Sequence, residues 1–101
     1  MENTFVMLAD PGRRRILDAL RAGERAAGDL AAMLPISQPG VSKQLRLLRE
    51  AGLVRVRRDA QRRFYRLDPK PFADLDAWLE PYRAFWTQRL GALERHLDQE
   101  S

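Results

Sequence analysis

Hydrophobic positions recur along this chain with two periods, and the change from one to the other marks its organisation. In the segment 37–51, Val41, Leu45 and Leu48 stand at i, i+4 and i+7, which places them on one face of a helix. Ser37 is an N-capping residue, and Pro39 falls in the first turn, where a missing N–H is little loss. Ile36 and Val41 have the spacing of a hydrophobic staple, and Gly52 stands where a left-handed residue closes a helix. Upstream, Phe5, Val6, Leu8 and Ala9 predict a short helix over 3–9. Asp10–Pro11 reads as the N-cap and first position of a helix over 11–22, with Ile16, Leu17 and Leu20 inward and Gly23 at its end. Leu30, Ala31 and Leu34 predict a helix over 26–34, and Pro35–Ile36 makes the short turn into the next.

After Gly52 the period falls to two. Leu53, Val54 and Val56 interleave with Arg55 and Arg57, a loop is expected over 58–62, and Phe64, Tyr65, Arg66 and Leu67 return as a second strand, giving a hairpin over 53–67. Asp68–Pro69–Lys70–Pro71 is expected to break the chain before a long helix over 71–97. There Leu75, Leu79, Tyr82, Trp86, Leu90, Leu93 and Leu97 form a heptad-like stripe that Trp78 and Phe85 widen. Pro81 lies inside this pattern and should kink the helix or start a second segment.

Two short helices joined by a tight turn form a helix-turn-helix, and a two-stranded hairpin directly after it makes a winged helix. The fold class is therefore mainly α with a small β-hairpin (α+β), in the order α-α-α-α-β-β-α, as one domain over 1–101. The stripe on the last helix is too wide and aromatic for so small a domain to cover. Packing on its own core is one reading. A homodimer interface built from Phe5, Leu8, Leu75, Trp78, Leu79, Tyr82, Trp86, Leu90 and Leu93 is the preferred one.

Composition narrows the function. At 45% hydrophobic and 32% charged residues the chain reads as a soluble globular protein. There is no Cys, hence no disulfide and no thiolate metal site. No apolar run reaches the roughly 18 residues of a membrane span, and the first residues lack the pattern of a signal peptide, so a cytoplasmic location is expected. Basic residues outnumber acidic ones by 18 to 14, and nearly all are Arg, whose guanidinium suits phosphate. On the helix over 37–51, Lys43, Arg46 and Glu50 lie opposite the apolar face, flanked by Gln38, Ser42 and Arg49. The wing carries Arg55, Arg57, Arg58, Arg62, Arg63 and Arg66 against Asp59. These features are compatible with a solvated helix face and a guarded strand edge, but their succession favours double-stranded DNA, with the helix on bases and the wing on phosphates. Arg13, Arg14 and Arg15 oppose the dipole of their own helix and are read either as contacts to phosphate or to an acidic neighbour, or as solvated cations beside acids such as Asp18.

Catalytic signatures are absent, and no cofactor is implied. No GxSxG, Walker A loop, GxGxxG or HExxH occurs, and His96 is the sole histidine. Asp74, Asp76 and Glu80 alone make a poor zinc site. No enzyme is expected. A non-catalytic protein-interaction module is the alternative to a DNA-binding regulator.

The phrases Leu8–Ala9–Asp10–Pro11–Gly12–Arg13–Arg14–Arg15–Ile16–Leu17, Ser37–Gln38–Pro39–Gly40–Val41–Ser42–Lys43–Gln44–Leu45 and Leu48–Arg49–Glu50–Ala51–Gly52–Leu53–Val54 resemble the ArsR/SmtB family of bacterial winged-helix repressors, and the similarity covers nearly the whole chain. The resemblance implies a homodimer joined through its first and last helices, bound to an inverted-repeat operator in its own promoter region. It implies DNA reading at Gln38, Pro39, Ser42 and Lys43; with the basic residues read above, the candidate DNA contacts are these four plus Arg46, Arg57, Arg58, Arg62 and Arg63. The family's metal sensors carry a cysteine pair before the recognition helix or Asp and His ligands on the last helix. Neither set is matched here, so metal sensing does not carry over; if regulation exists, it is expected to act through a small organic ligand or a protein near Trp78, Tyr82 and Trp86, or simply through protein level. Gln44 stands where His is frequent, and the wing turn lacks its common Gly.

Overall fold

The computed structural model describes residues 1–100. Its elements are α1 (Glu2–Leu8), α2 (Pro11–Leu20), β1 (Arg25–Ala26), α3 (Ala27–Met33), α4 (Gln38–Glu50), β2 (Val54–Asp59), β3 (Arg62–Leu67) and α5 (Pro69–Glu100). The mainly helical architecture with a winged helix-turn-helix agrees with the pattern in the sequence. The sheet differs in having three antiparallel strands in the order β1-β3-β2, rather than two. The added strand has two residues, Arg25 opposite Tyr65 and Ala26 opposite Phe64, too few to show a period. It takes Ala26 from the expected start of the third helix, so α3 begins at Ala27.

Local chemistry sets both ends of α4. The Ser37 hydroxyl accepts a hydrogen bond from the Gly40 N–H at 3.1 Å, and Pro39 occupies the first turn. Gly40 is there for space: a Cβ would lie 2.9 Å from Ile36 Cγ2 and 3.0 Å from the Ser37 hydroxyl. At the other end Gly52 adopts φ +84°, the Leu53 N–H reaches the Leu48 carbonyl and the Gly52 N–H reaches that of Arg49. This paired closure carries an apolar contact at its base, since Leu48 and Leu53 are both fully buried. The chain thus leaves the reading helix and enters the sheet across a fixed joint.

The core joins Ile16, Leu17 and Leu20 of α2, Leu30 of α3, Val41, Leu45 and Leu48 of α4, and Leu53, Val54 and Tyr65 of the joint and sheet. Each of the expected inward residues of α2 and α4 is buried. The α2 N-terminus is also as expected, with Asp10 accepting from the Arg13 N–H at 3.0 Å ahead of Pro11.

Two expectations need correction. Asp68 through Pro71 does not break the chain before a helix: α5 starts at Pro69, because Asp68 accepts from the Lys70 N–H at 3.0 Å and both prolines fall in the first turn. Nor does Pro81 start a second segment. α5 runs through it as a single helix of 32 residues, about 48 Å at 1.5 Å per residue. The missing N–H leaves the Ala77 carbonyl without its helical partner.

The wing loop is also shorter than expected. β2 runs to Asp59 and β3 begins at Arg62, so only Ala60 and Gln61 turn the chain. Ala60 takes the turn with φ +55°, a left-handed conformation that an L side chain resists. Ala60→Gly should therefore stabilise the protein by about 1 kcal/mol despite the greater freedom glycine has when unfolded. Chemical denaturation of the two proteins checks this; a less stable variant would show that the turn is not strained.

Candidate nucleic-acid interface

With Val41, Leu45 and Leu48 buried, the rotation of α4 is fixed, and Gln38, Pro39, Ser42, Lys43, Arg46 and Arg49 are all exposed. Across from them, Arg63 of β3 completes a cleft of about 220 Å³ that Ser42, Leu45, Arg46 and Arg49 line from α4, with Ala27 and Tyr65 between. Three arginines from two elements therefore border one cleft. Among the described residues, Lys43, Arg46, Arg49, Arg58 and Arg63 have no carboxylate within ion-pair distance.

The register of the hairpin sorts its arginines. Residues directly opposite in an antiparallel pair share a face. Arg58 pairs with Arg63, so it lies on the face that borders the cleft. The pairs Arg57 with Phe64, Arg55 with Arg66 and Asp59 with Arg62 lie on the other face. There every arginine meets an acid. Arg57 donates to Glu24 at 2.6 Å and has Asp59 at 3.7 Å; Arg66 has Glu24 at 3.9 Å; Arg55 donates to Asp68 at 2.9 Å; and Arg62 has Asp29 at 3.5 Å. Arg57 and Arg62 also flank the Phe64 ring, at 4.7 and 5.2 Å from its centroid. Of the four wing arginines singled out in the sequence, Arg58 and Arg63 thus stand on the cleft side. Arg57 and Arg62 are held on the far side by Glu24, from the segment between α2 and α3, and by Asp29 in the first turn of α3.

Sequence reasoning missed what Arg13 and Arg14 do. Arg13 donates from Nε to the Met7 carbonyl at 2.9 Å and from Nη2 to that of Val6 at 3.1 Å, while Arg14 donates to Leu8 at 2.6 Å. These carbonyls belong to the last turn of α1, where only the Ala9 N–H reaches back, to Phe5 and Val6. The arginines therefore cap the preceding helix. Backbone acceptors leave no trace in a side-chain pattern.

On α5, Trp78, Tyr82, Trp86, Leu90 and Leu93 of the expected dimer stripe are 43–57% exposed, while Leu75 and Leu79 are half-buried. Phe5 of α1 is exposed and packs edge-on to Trp78 at 5.3 Å, and Trp78 lies 4.8 Å from Tyr82. Leu8 instead packs partly against the core. Asp76 and Glu80 are engaged by Arg83, at 2.7 and 2.5 Å. Among the described residues no three His, Cys, Asp or Glu side chains are grouped to hold a metal ion, and no helix is long and apolar enough to cross a membrane.

A helix-turn-helix with a cationic cleft between its second helix and a wing defines a DNA-binding protein. The comparisons with known proteins specify it further: residues 10–56 match the model of the bacterial regulatory proteins of the arsR family. The chain is 42% identical over 99 residues to the HTH-type transcriptional regulator Rv2034 of Mycobacterium tuberculosis, covering 98% of this chain and 90% of that protein. It is 37% identical over 79 residues to the transcriptional repressor SdpR of Bacillus subtilis, covering 78% of this chain and 88% of that one. Among solved structures, an ArsR-family transcriptional regulator, RHA00566, superposes with a TM-score of 0.74 at 28% identity, covering 85% of this chain and 94% of that one. The chain belongs to the ArsR family of DNA-binding transcriptional regulators and is not an enzyme.

The acid-paired face of the wing has a pH signature. The hydrogen bond from Arg57 holds the Glu24 carboxyl below its ordinary value, and the Lys70 N–H, followed by Arg55, does the same for Asp68. A lowered folded value stabilises the protein wherever the unfolded carboxylate is ionised, and that contribution disappears as pH falls through the folded value. Thermal stability should therefore hold down to the ordinary carboxylate range, near pH 4, and fall below it. Glu24→Gln and Asp68→Asn should flatten that fall in melts recorded between pH 6 and pH 3. An unchanged acid limb in both variants would show that these pairs do not set it.

Proposed function

We propose that this protein is a homodimeric repressor that binds an inverted-repeat operator, including one in its own promoter region, and that metal ions do not release it. The observation that carries the DNA part is the cleft that unpaired arginines of α4 and β3 share. In this reading Gln38, Ser42 and Lys43 face base edges in the major groove while Pro39 sets the approach of the helix end. Arg46, Arg58 and Arg63 neutralise phosphates. Arg57 and Arg62 hold the wing through Glu24 and Asp29 and contribute less to DNA. Repression follows from the relatives named repressors. The site of action is the cytoplasm, where the operator is.

The dimer rests on the apolar face of α5. Trp78, Tyr82, Phe85, Trp86, Leu90, Leu93 and Leu97 run along it exposed, with Phe5 of α1 packed on Trp78. A second copy placed on that face by two-fold symmetry brings two α4 helices to successive major grooves, about 34–36 Å apart. Independence from metals rests on the donor set: no Cys in the chain, one His, and two of the α5 carboxylates, Asp76 and Glu80, already drawn to Arg83. An organic molecule or a protein seated near Trp78, Tyr82 and Trp86 is the effector this face could accept.

Fluorescence anisotropy on the protein's own upstream DNA tests the operator reading. Gln38→Ala or Lys43→Ala should weaken specific binding by about 1–3 kcal/mol and relax sequence preference. Arg58→Ala or Arg63→Ala should weaken all sequences alike and reduce the salt slope by about 1 each, with Arg55→Ala as the silent control. Zinc, nickel, cadmium or arsenite at one equivalent should leave the complex intact. A tenfold loss with any of them, or an unaltered Gln38→Ala protein, would refute the corresponding part. Sedimentation tests the dimer: the wild type should be dimeric at micromolar concentrations, and Trp86→Ala with Leu90→Ala should be monomeric or unfolded. A wild type that stays monomeric at tens of micromolar would end the dimer proposal.

A further inference from the structure

Arg13 lies outside the DNA-facing surface, yet its guanidinium touches two elements that the proposed function assigns to different tasks. Nε and Nη2 bind the carbonyls of Met7 and Val6 at the end of α1, and Nη1 donates to Gln44 Oε1 in the middle of α4 at 3.3 Å. Its own N–H is held by Asp10 at the start of α2. From its place in the first turn of α2, this one side chain therefore cross-ties the end of α1 to the centre of α4. Its placement does nothing for α2 itself, since a cation in the first turn opposes the helix dipole. The planar fork of a guanidinium can serve three acceptors at once; a lysine ammonium on a flexible stem cannot hold the same geometry.

Both ends of this tie are placed to matter. Gln44 is half-buried and directly follows Ser42 and Lys43, which are exposed on the face proposed to read bases. α1 carries Phe5, whose ring packs on Trp78 of the apolar α5 face. A displacement of α1, by a second copy or by a molecule seated at Trp78, must either break the bonds from Arg13 to the α1 carbonyls or move the guanidinium relative to Gln44.

We infer that Arg13 is a positioning residue that couples the α1–α5 face to the orientation of α4 through Gln44. This rests on the reading of α4 as the DNA helix and of the α1–α5 face as the dimer interface. Gln44 is then not a base contact; its amide serves to hold the rotation of α4 against α1. The same link is a route by which occupancy of the aromatic face would change DNA affinity, because the guanidinium that caps α1 also fixes Gln44 of α4.

A double-mutant cycle tests this on the full chain, with operator affinity read by anisotropy and dimerisation by sedimentation. Gln44→Leu keeps the volume, deletes the acceptor and leaves the caps on α1 in place. Arg13→Met keeps the stem and the backbone bond to Asp10 and removes every side-chain bond. Each should weaken operator binding about 3- to 10-fold, the worth of one or two hydrogen bonds. The double variant should be no weaker than Arg13→Met alone, and Gln44→Leu should dimerise like the wild type. If Arg13→Met does not fold, Arg13→Lys takes its place, retaining the charge without the fork. Losses that multiply in the double variant would mean that Gln44 and Arg13 act separately, with Gln44 touching DNA, and would overturn the coupling while leaving the DNA-binding reading intact. So would a Gln44→Leu protein with wild-type affinity. A wild type that binds the operator as a monomer would overturn the dimer reading and the coupling with it.

Discussion

The rest of the structure depends on how α4 is rotated about its own axis. Val41, Leu45 and Leu48 are held in the core by Ile16, Leu17 and Leu20 of α2 and by Leu30 of α3. With those three buried, a turn of α4 by one residue, about 100°, would carry a polar side chain into a site that offers it no partner. The identity of the exposed face is therefore a packing result before it is a matter of recognition. Ser37 and Gly40 set where the helix begins, and the closure through Gly52 and Leu53 sets the direction in which the chain departs to make the sheet. Because Leu48 and Leu53 close that joint from within the core, the wing is placed by the same burial that orients the helix.

Electrostatics then divides the wing. Arginine is poorly placed to choose between phosphate and carboxylate, since its fork fits both. Here the choice is made by strand parity and by the short strand β1. β1 docks on β3 and brings Glu24 to one face of the hairpin, where it takes Arg57 and comes within reach of Arg66. The opposite face is left with Arg58 and Arg63 and with the flank of α4. Arginines without acid partners are thereby gathered where α4 and the wing approach each other.

Much of this was legible in the sequence, for identifiable reasons. Helices with a clean apolar stripe and a capping residue were readable, as α2 and α4 show, because their signals are local. The alternation of β2 and β3 was readable too. The partition of the wing arginines was not, since it depends on Glu24 and Asp29, which lie some thirty residues away and are brought near by a strand with no pattern of its own. Proline misled at the start of α5, where Pro69 and Pro71 begin the helix because Asp68 caps it; Pro81 lies within the helix and starts no second one. The role of Arg13 was hidden because its partners are two carbonyls and one amide, none of which has a charge to complement.

The two-residue turn at Ala60–Gln61 and the strict pairing from Val54–Leu67 to Asp59–Arg62 have an evolutionary consequence. Faces alternate at every residue, so inserting or deleting one residue within a wing strand exchanges inside for outside beyond the change. A single deletion between Val56 and Arg58 would turn Arg58 toward the acid-paired side and leave Arg63 alone on the other. Descendants of this sequence can vary the length of these strands only in steps of two, or by adding residues at the tip, if they are to keep the same pair of arginines beside α4. Drift in individual wing residues is cheap; drift in their count is not.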